Sequence, residues 1–279
     1  MLTIEPIKPH IGAIVHADRE ALRDAAVAQR CIELLDERGV LVFPRIGLSD
    51  EEQLAFTDRL GTRVDYFSGA PQAMSGNDGI YKVSLDPEVN RMTEFVQATF
   101  FWHMDGFTSP LDPPKATLLS ARTVAPKGGQ TEFASTYAAY EGLSDSEKED
   151  LEGMRVRHTL AAGLRHVLDK PSPEAMERFA QIPDQEHPIV WTHDSGRKSL
   201  VIGTQADRVV GMPVPDGRAL LVRLMEWAGQ PAFTYRHEWQ EGDLVIWDNP
   251  GALHRVIPYD RSSGRKMHRT SIAGTEAVR

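Results

Sequence analysis

Three short motifs, far apart along the chain, hold the residue types that metal chemistry needs. Phe100-Phe-Trp-His-Met-Asp105 offers an imidazole and a carboxylate two residues apart. On a strand that spacing turns both side chains to one face, with Cα atoms roughly 6.6 Å apart, so His103 and Asp105 could meet at one ion. Alone, the pair is equally well read as a His and an Asp at a solvated strand end. Trp247-Asp-Asn-Pro-Gly-Ala-Leu-His254 reads as a strand entering a tight turn, with a single histidine after it. That histidine, taken by itself, would be an ordinary loop or strand residue. The third motif, Arg265-Lys-Met-His-Arg269, leads into Thr270-Ser-Ile272. On a strand Arg265, Met267, Arg269 and Ser271 share one face; the alternative turns Lys266 and His268 inward. Arginines facing a protein interior need anions, because an unpaired buried charge is expensive. A planar guanidinium suits a carboxylate, which it grips through two parallel hydrogen bonds.

The three motifs make chemical sense together. Two neutral imidazoles and one carboxylate on one side of an octahedral ion leave three adjacent positions open. Those positions suit Fe(II) that takes a bidentate 2-oxo acid and then O2. His103, Asp105 and His254 are the candidate ligands. Arg265, eleven residues after His254, is the candidate cation for the distal carboxylate of 2-oxoglutarate. The remaining histidines have plainer readings. His187 and His193 flank a strand and an Asp194-Ser-Gly196 turn, and His158, His166 and His237 lie in helical or charged contexts. Cys31, the only cysteine, falls in an early helix and is read as buried and inert, so neither a disulfide nor a cysteine-rich metal site is available.

The elements that must position these residues are mostly strands. A helix is expected over Arg19–Arg38, stopped by Gly39, then a buried strand Val40–Phe43 closed by Pro44. Ser49-Asp-Glu-Glu52 has the form of a capping box and opens a helix that Gly61 ends; Ser144-Asp-Ser-Glu147 is a second box. Ser172-Pro173 pairs an N-cap with a proline at the first helical position, and Gly217–Ala228 has an apolar helical face. Strands are expected at Ala116–Ala121, Thr131–Ser135, His187–Trp191, Ser199–Ile202, Asp243–Trp247 and Lys266–Ile272. Between Tyr66 and Thr99 no periodic signal survives, and a loop of that length commonly covers a binding site. The fold class is mainly β with helices, an antiparallel barrel or jelly roll with flanking and inserted helices. No repeat or linker divides the chain, so residues 1–279 are read as a single domain.

Composition narrows the partners. The 279 residues carry 31 Lys+Arg against 40 Asp+Glu, a formal charge of −9. A protein that grips a nucleic-acid backbone or an anionic membrane normally shows the opposite balance, so neither partner is expected. The first twenty residues lack a basic start followed by an apolar core, and no window of ~18 apolar residues occurs. The expectation is a cytoplasmic protein acting on a small molecule, with a homo-oligomer left open.

At the level of the whole chain, the sequence resembles the TauD/TfdA family of Fe(II)/2-oxoglutarate-dependent dioxygenases. The likeness rests on the His-x-Asp, the distant His and the Arg eleven residues later. It extends to Ile11-Gly-Ala-Ile14, Ala125-Pro-Lys-Gly-Gly-Gln-Thr131, Ala138-Ala-Tyr-Glu-Gly-Leu143, His187-Pro-Ile-Val and Met267-His-Arg-Thr270. The resemblance implies a double-stranded β-helix with His103, Asp105 and His254 on iron and Arg265 on 2-oxoglutarate. It also implies that Thr131 binds the same carboxylate and that Arg269 holds the acidic group of the primary substrate. Taurine enzymes have an Asn four residues before the first ligand histidine, where this chain has Thr99. They also use a His from the preceding loop, and none occurs here between His16 and His103. Tyr66, Phe67, Met74, Phe95, Phe100 and Phe101 lie nearby instead, which points to an apolar or aromatic acid as substrate. Hydroxylation with succinate and CO2 as co-products is then the expected reaction, with cleavage where the hydroxylated carbon bears oxygen or sulfur. A zinc hydrolase using the same three ligands and a non-catalytic ligand-binding β-barrel are the alternatives.

Overall fold

Val40-Leu-Val-Phe43 is apolar at every position because both faces of that strand are covered. Side chains alternate along a strand. Val40 and Val42 therefore enter one core with Leu119, Val245, Trp247 and Met267. Leu41 and Phe43 enter a second with Leu35 and Phe56 from the covering helices.

The computed structural model describes residues 2–64, 79–168 and 170–279. Tyr66, Phe67 and Met74 lie outside the described residues. The chain opens with β1 (Thr3–Pro6) and β2 (Ala13–His16), then α1 (Ala25–Arg38), β3 (Val40–Phe43) and α2 (Asp50–Leu60). β4 (Tyr81–Val83) and α3 (Thr93–Ala98) precede β5 (Ala116–Thr123), β6 (Thr131–Ser135), α4 (Thr136–Glu141) and α5 (Asp145–Leu151). The next segment comprises β7 (Arg155–His158), α6 (Leu160–Leu164), α7 (Pro173–Ala180), β8 (Gln185–Pro188), β9 (Val190–Thr192), β10 (Lys198–Leu200) and β11 (Ala206–Val209). It leads to α8 (Val214–Ala228), β12 (Thr234–His237), β13 (Leu244–Asp248), β14 (Ala252–Val256) and β15 (Lys266–Ile272).

The major sheet runs β1-β2-β3-β13-β5-β15-β4, antiparallel except between β2 and β3. The minor sheet, β12-β6-β14, faces it across a core that joins Phe133, Ala252 and Val256 to Leu119, Trp247 and Met267. These two sheets make the jelly roll. α1 and α2 cover the outer face of the major sheet, and the segment from α4 to α8 packs a third core around Trp191, Val156 and Leu224.

Local sequence signals act as expected where they are short-range. Ser49 and Ser144 both form full capping boxes, with Glu52 and Glu147 answering the cap N–H groups. The first helix begins later than its periodicity suggests, because Asp24 takes an extended backbone and caps Ala26. The strand expected over His187–Trp191 is two strands, split where Ile189 bonds Met154 on one side and Val201 on the other. The 66–99 stretch is not irregular throughout: β4 pairs with β15, and α3 follows. His158 departs from its expected charged or helical setting. It is a strand residue, 1% exposed, with both ring nitrogens unpartnered. Burial, then His187, pushes its pKa down to about 3. His237 is likewise a buried strand residue, bonded to Asp243. Cys31 is buried as expected, and burial raises its thiol pKa to about 12.

Asp243 ties the start of β13 to the rest of the roll. It accepts from the backbone N–H groups of Arg45 and Gln240, each at 2.8 Å, and lies 3.1 Å from His237 Nε2. Burial favours the neutral acid, but His237 and the two N–H groups outweigh it and hold the pKa below the usual carboxylate value. A carboxyl depressed in this way stabilises the fold above its unfolded pKa of about 3.9, and the contribution is lost as pH falls through the folded value. Asp243→Asn should cost about 2 kcal/mol at neutral pH. In urea unfolding that deficit should shrink below about pH 4; a deficit independent of pH would refute the assignment.

Candidate active site

His103 and His254 face each other across an isolated antiparallel bridge, with His103 N–H on His254 O at 3.1 Å and the reverse bond at 3.0 Å. Residues opposite one another in such a bridge project to the same side, which is why the two rings lie 4.1 Å apart. The expected regular strand through His103 and Asp105 is absent. His103 makes a single bridge, and Asp105 sits in the bend after it. The convergence survives because β14 frames the two histidines, while Thr117 of β5 and Arg269 of β15 hold Asp105. One ligand atom each from His103, Asp105 and His254 lie within 4.8 Å of one another, and His254 Nε2 is 3.7 Å from Asp105 Oδ2.

Each ligand's state is set by its neighbours. His103 Nδ1 lies 2.9 Å from the Phe101 carbonyl. A carbonyl only accepts, so Nδ1 carries the proton and Nε2 presents its lone pair. Burial lowers the pKa of His103 and takes that of His254 well below the ordinary value, with His103 adding to the latter effect. Both imidazoles are therefore neutral ligands at physiological pH. For Asp105, burial opposes ionisation. Arg269, the largest opposing influence, together with the Thr117 hydroxyl outweighs it and holds the pKa at about 2.

The faces of β15 settle the inward-facing question. Met267, Arg269 and Ser271 turn to the roll's interior, and Arg269 Nη2 reaches Asp105 Oδ2 at 2.9 Å. His268 and Thr270 turn the other way, against Asp50, Gln53 and Thr57 of α2. Arg265, before the bulge in β15, is 2% exposed. Its Nη2 donates to Gly129 O at 3.2 Å, its guanidinium lies 4.8 Å from the Tyr259 ring centre, and Nη1 has no partner. Among the described residues no carboxylate lies within ion-pair distance of it. A buried guanidinium with an orphaned donor fits an incoming carboxylate. The Gly128-Gly129 turn permits this packing: Gly129 has φ +78°, and a Cβ there would lie 3.1 Å from Arg265 Nε. Thr131 is buried beside this region, and its Oγ1 accepts from Trp239 Nε1 at 2.9 Å, leaving its own proton to give.

Two cavities flank these groups. One of about 170 Å³ is walled by Tyr81, Val83, Phe95, Thr99 and Leu164, with His103, Asp105 and Arg269 on its polar side. The other, about 150 Å³, lies along Gly128, Gly129 and Trp239 and ends on Arg265. Thr99 lines the first cavity, but its hydroxyl donates to Val96 O at 2.7 Å and offers only lone pairs inward. Phe95 lines it as well, whereas Phe100 packs on Tyr259 and Phe101 stacks on His166. The proposed contacts Tyr66 and Phe67 lie outside the described residues. Sequence reasoning missed Thr117, Asn249, Tyr259 and Trp239, of which only Asn249 lay inside a motif already singled out.

A jelly roll that gathers two neutral imidazoles and an ionised carboxylate, with an anion-seeking arginine deeper in the same roll, defines a facial-triad metalloenzyme. Comparison with known proteins is specific. The family profile described as "Taurine catabolism dioxygenase TauD, TfdA family" matches residues 3–271. An alpha-ketoglutarate-dependent 2,4-dichlorophenoxyacetate dioxygenase of Cupriavidus pinatubonensis is 40% identical over 91% of this chain and 90% of its own. An (S)-phenoxypropionate/alpha-ketoglutarate-dioxygenase of Sphingobium herbicidovorans is 33% identical over 98% and 96%. The crystal structure of AAD-2 in complex with Mn(II) and N-oxalylglycine superimposes with a TM-score of 0.82 at 33% identity, covering 100% of both chains. The chain belongs to the TauD/TfdA family and is a 2-oxoglutarate (alpha-ketoglutarate)-dependent dioxygenase. Its donor set fits Fe(II), and Arg265 fits the co-substrate. Membership sets aside the zinc-hydrolase and binding-barrel alternatives. No described helix is long and apolar enough to cross a membrane.

Proposed function

We propose that this dioxygenase hydroxylates a small organic acid with an apolar or aromatic body, in the manner of the aryloxyalkanoates its relatives are named for. The observation that carries the reading is the cavity in which His103, Asp105 and Arg269 face Tyr81, Val83 and Phe95. Arg269 would take the acid group while those side chains hold the body. Arg265, with Thr131 beside it, would take the distal carboxylate of 2-oxoglutarate, and His103, Asp105 and His254 would hold the iron. Iron bound there supplies, with 2-oxoglutarate and O2, the oxidation that turns a substrate C–H into C–OH and leaves succinate and CO2. The protein's own work is placement: it fixes the acid end, sets one C–H bond toward the metal and keeps bulk water out. The described part of the 66–99 stretch would cover the substrate with Tyr81, Val83 and Phe95, its remainder lying outside the described residues, and residues 1–279 act as one domain in this reading. Where the new hydroxyl falls on a carbon bearing an ether oxygen, the hemiacetal collapses and the C–O bond breaks.

Anaerobic addition of 2-oxoglutarate to the Fe(II)-loaded protein should produce a visible charge-transfer band, and Zn(II) should inhibit. Succinate release should then rise with one or more aryloxyalkanoic acids; no response across such acids would overturn the substrate class. Arg269→Ala should raise the substrate KM by about 30-fold or more, the loss expected of a charged hydrogen bond. The 2-oxoglutarate KM should move far less, and equal changes would remove Arg269 from the substrate-binding role.

A further inference from the structure

We infer that Asn249 is a positioning residue for the metal ligand Asp105 and acts through the hydroxyl of Thr117; this rests on the metal site of the proposed function. Thr117 points into the roll from β5 and lies 3.1 Å from Asp105 Oδ2. Asn249 Nδ2 lies 3.0 Å from the same hydroxyl oxygen, and Ser271 Oγ sits 3.4 Å away. The polarity of this chain is forced. An ionised carboxylate can only accept, so the single Thr117 proton belongs to Asp105. Thr117 Oγ1 is then an acceptor toward Asn249, which must present its NH2 group. Turned over, Asn249 would offer a carbonyl oxygen, compete for the Thr117 proton and draw it off the ligand.

The backbone under Asn249 is fixed, and its Oδ1 has no partner among the described residues, so the bond from Nδ2 to Thr117 is what sets the amide's direction. Asn249 is completely buried, and its backbone N–H bonds Lys115 O at 3.1 Å. The preceding Asp248 is clamped by Lys115 Nζ at 2.7 Å and by the Tyr137 hydroxyl at 3.1 Å. Two residues on, a Cβ at Gly251 would stand 1.8 Å from the Tyr137 ring, so the turn has one fit. The result is a carboxylate with two donors, Thr117 and Arg269, on one oxygen, while Oδ1 accepts none among the described residues.

The test is Mn(II) titration of the metal-free protein, reading free Mn(II) by electron paramagnetic resonance, with thermal unfolding alongside. Partners of ligating groups are typically worth about 10–100-fold in affinity. Thr117→Val should therefore weaken Mn(II) binding at least about tenfold, and Thr117→Ser, which keeps the hydroxyl, should bind within about threefold of the parent. Asn249→Ala should lose a similar factor, and the double variant should lose no more than Thr117→Val alone, because both act along one path. Parent-like affinity in Thr117→Val or Asn249→Ala, or additive losses in the double variant, would overturn the relay while leaving the site intact. If the unsubstituted protein binds no Mn(II), the metal site itself falls, and the relay with it. Should Asn249→Ala not fold, Asn249→Asp, which keeps the size but has no NH2 group to give Thr117, replaces it: about tenfold weaker Mn(II) binding is expected, and parent-like binding overturns the relay.

Discussion

Arg265→Met will cost the enzyme its co-substrate and stabilise the protein that lacks it. The two effects have one cause. Among the described residues Arg265, 2% exposed, meets the Gly129 carbonyl and the Tyr259 side chain but no carboxylate, and its Nη1 has no partner. Removing a charge from water without an opposite charge nearby is unfavourable, and an apolar replacement of similar length relieves that penalty. Methionine fills the same channel without the charge. Stability without 2-oxoglutarate should rise by about 1–2 kcal/mol, or about 2–4 °C in Tm for a chain of this size. The same charge is what the distal carboxylate would meet. Truncating one partner of a buried, hydrogen-bonded ion pair typically costs about 2–5 kcal/mol, so the KM for 2-oxoglutarate should rise roughly 100-fold or more. An unchanged KM would remove Arg265 from co-substrate binding. A lower Tm would show that its environment already satisfies it.

Asp105→Ala will abolish succinate formation and leave a folded protein. Among the described residues the carboxylate is one of three side chains grouped so that they could hold a metal, and without it two imidazoles would remain to hold a labile ferrous ion. Its loss also removes the contact that Arg269 Nη2 makes with Asp105 Oδ2 at 2.9 Å. Breaking a buried pair by removing one member costs about 3 kcal/mol or more. With its pKa held at about 2, Asp105 makes its contribution at all pH values above its unfolded pKa, so the deficit should be full at pH 7. A domain stable by about 5–15 kcal/mol survives such a loss. Measured together, succinate production should fall to background while thermal unfolding stays cooperative. Persistent 2-oxoglutarate turnover in this variant would sink the facial-triad assignment.

Some of this architecture could be read from neighbouring residues alone. The two Ser-x-x-Glu boxes form because the cap and its partner lie within one turn. Thr131–Ser135 has the bounds its alternation suggests. The 185–192 segment and β4 were harder. Such strands are three or four residues long, and their existence depends on partners elsewhere: β4 on β15, and β8 and β9 on two different sheets. The His-x-Asp motif was recognised for a reason that the fold does not use. Strand pitch would align His103 with Asp105, whereas the bridge to His254 sets His103, and Thr117 and Arg269 hold Asp105. Thr117 and Tyr259 gave no local signal at all, since nothing in their own segments shows that one faces a carboxylate and the other a guanidinium.

Residue type and order along the chain thus determined the class of chemistry. Imidazole, carboxylate and guanidinium have few joint uses, and those uses follow from composition and spacing. Only the tertiary structure decided which of these groups meet, since His103 and His254 are 151 residues apart and touch through one backbone bridge. It also decided which nitrogen of His103 bears the proton, which way Asn249 must face and which donor of Arg265 has no partner among the described residues. Each of these depends on burial and on the direction of a hydrogen bond, and both are properties of atoms brought together from distant parts of the sequence.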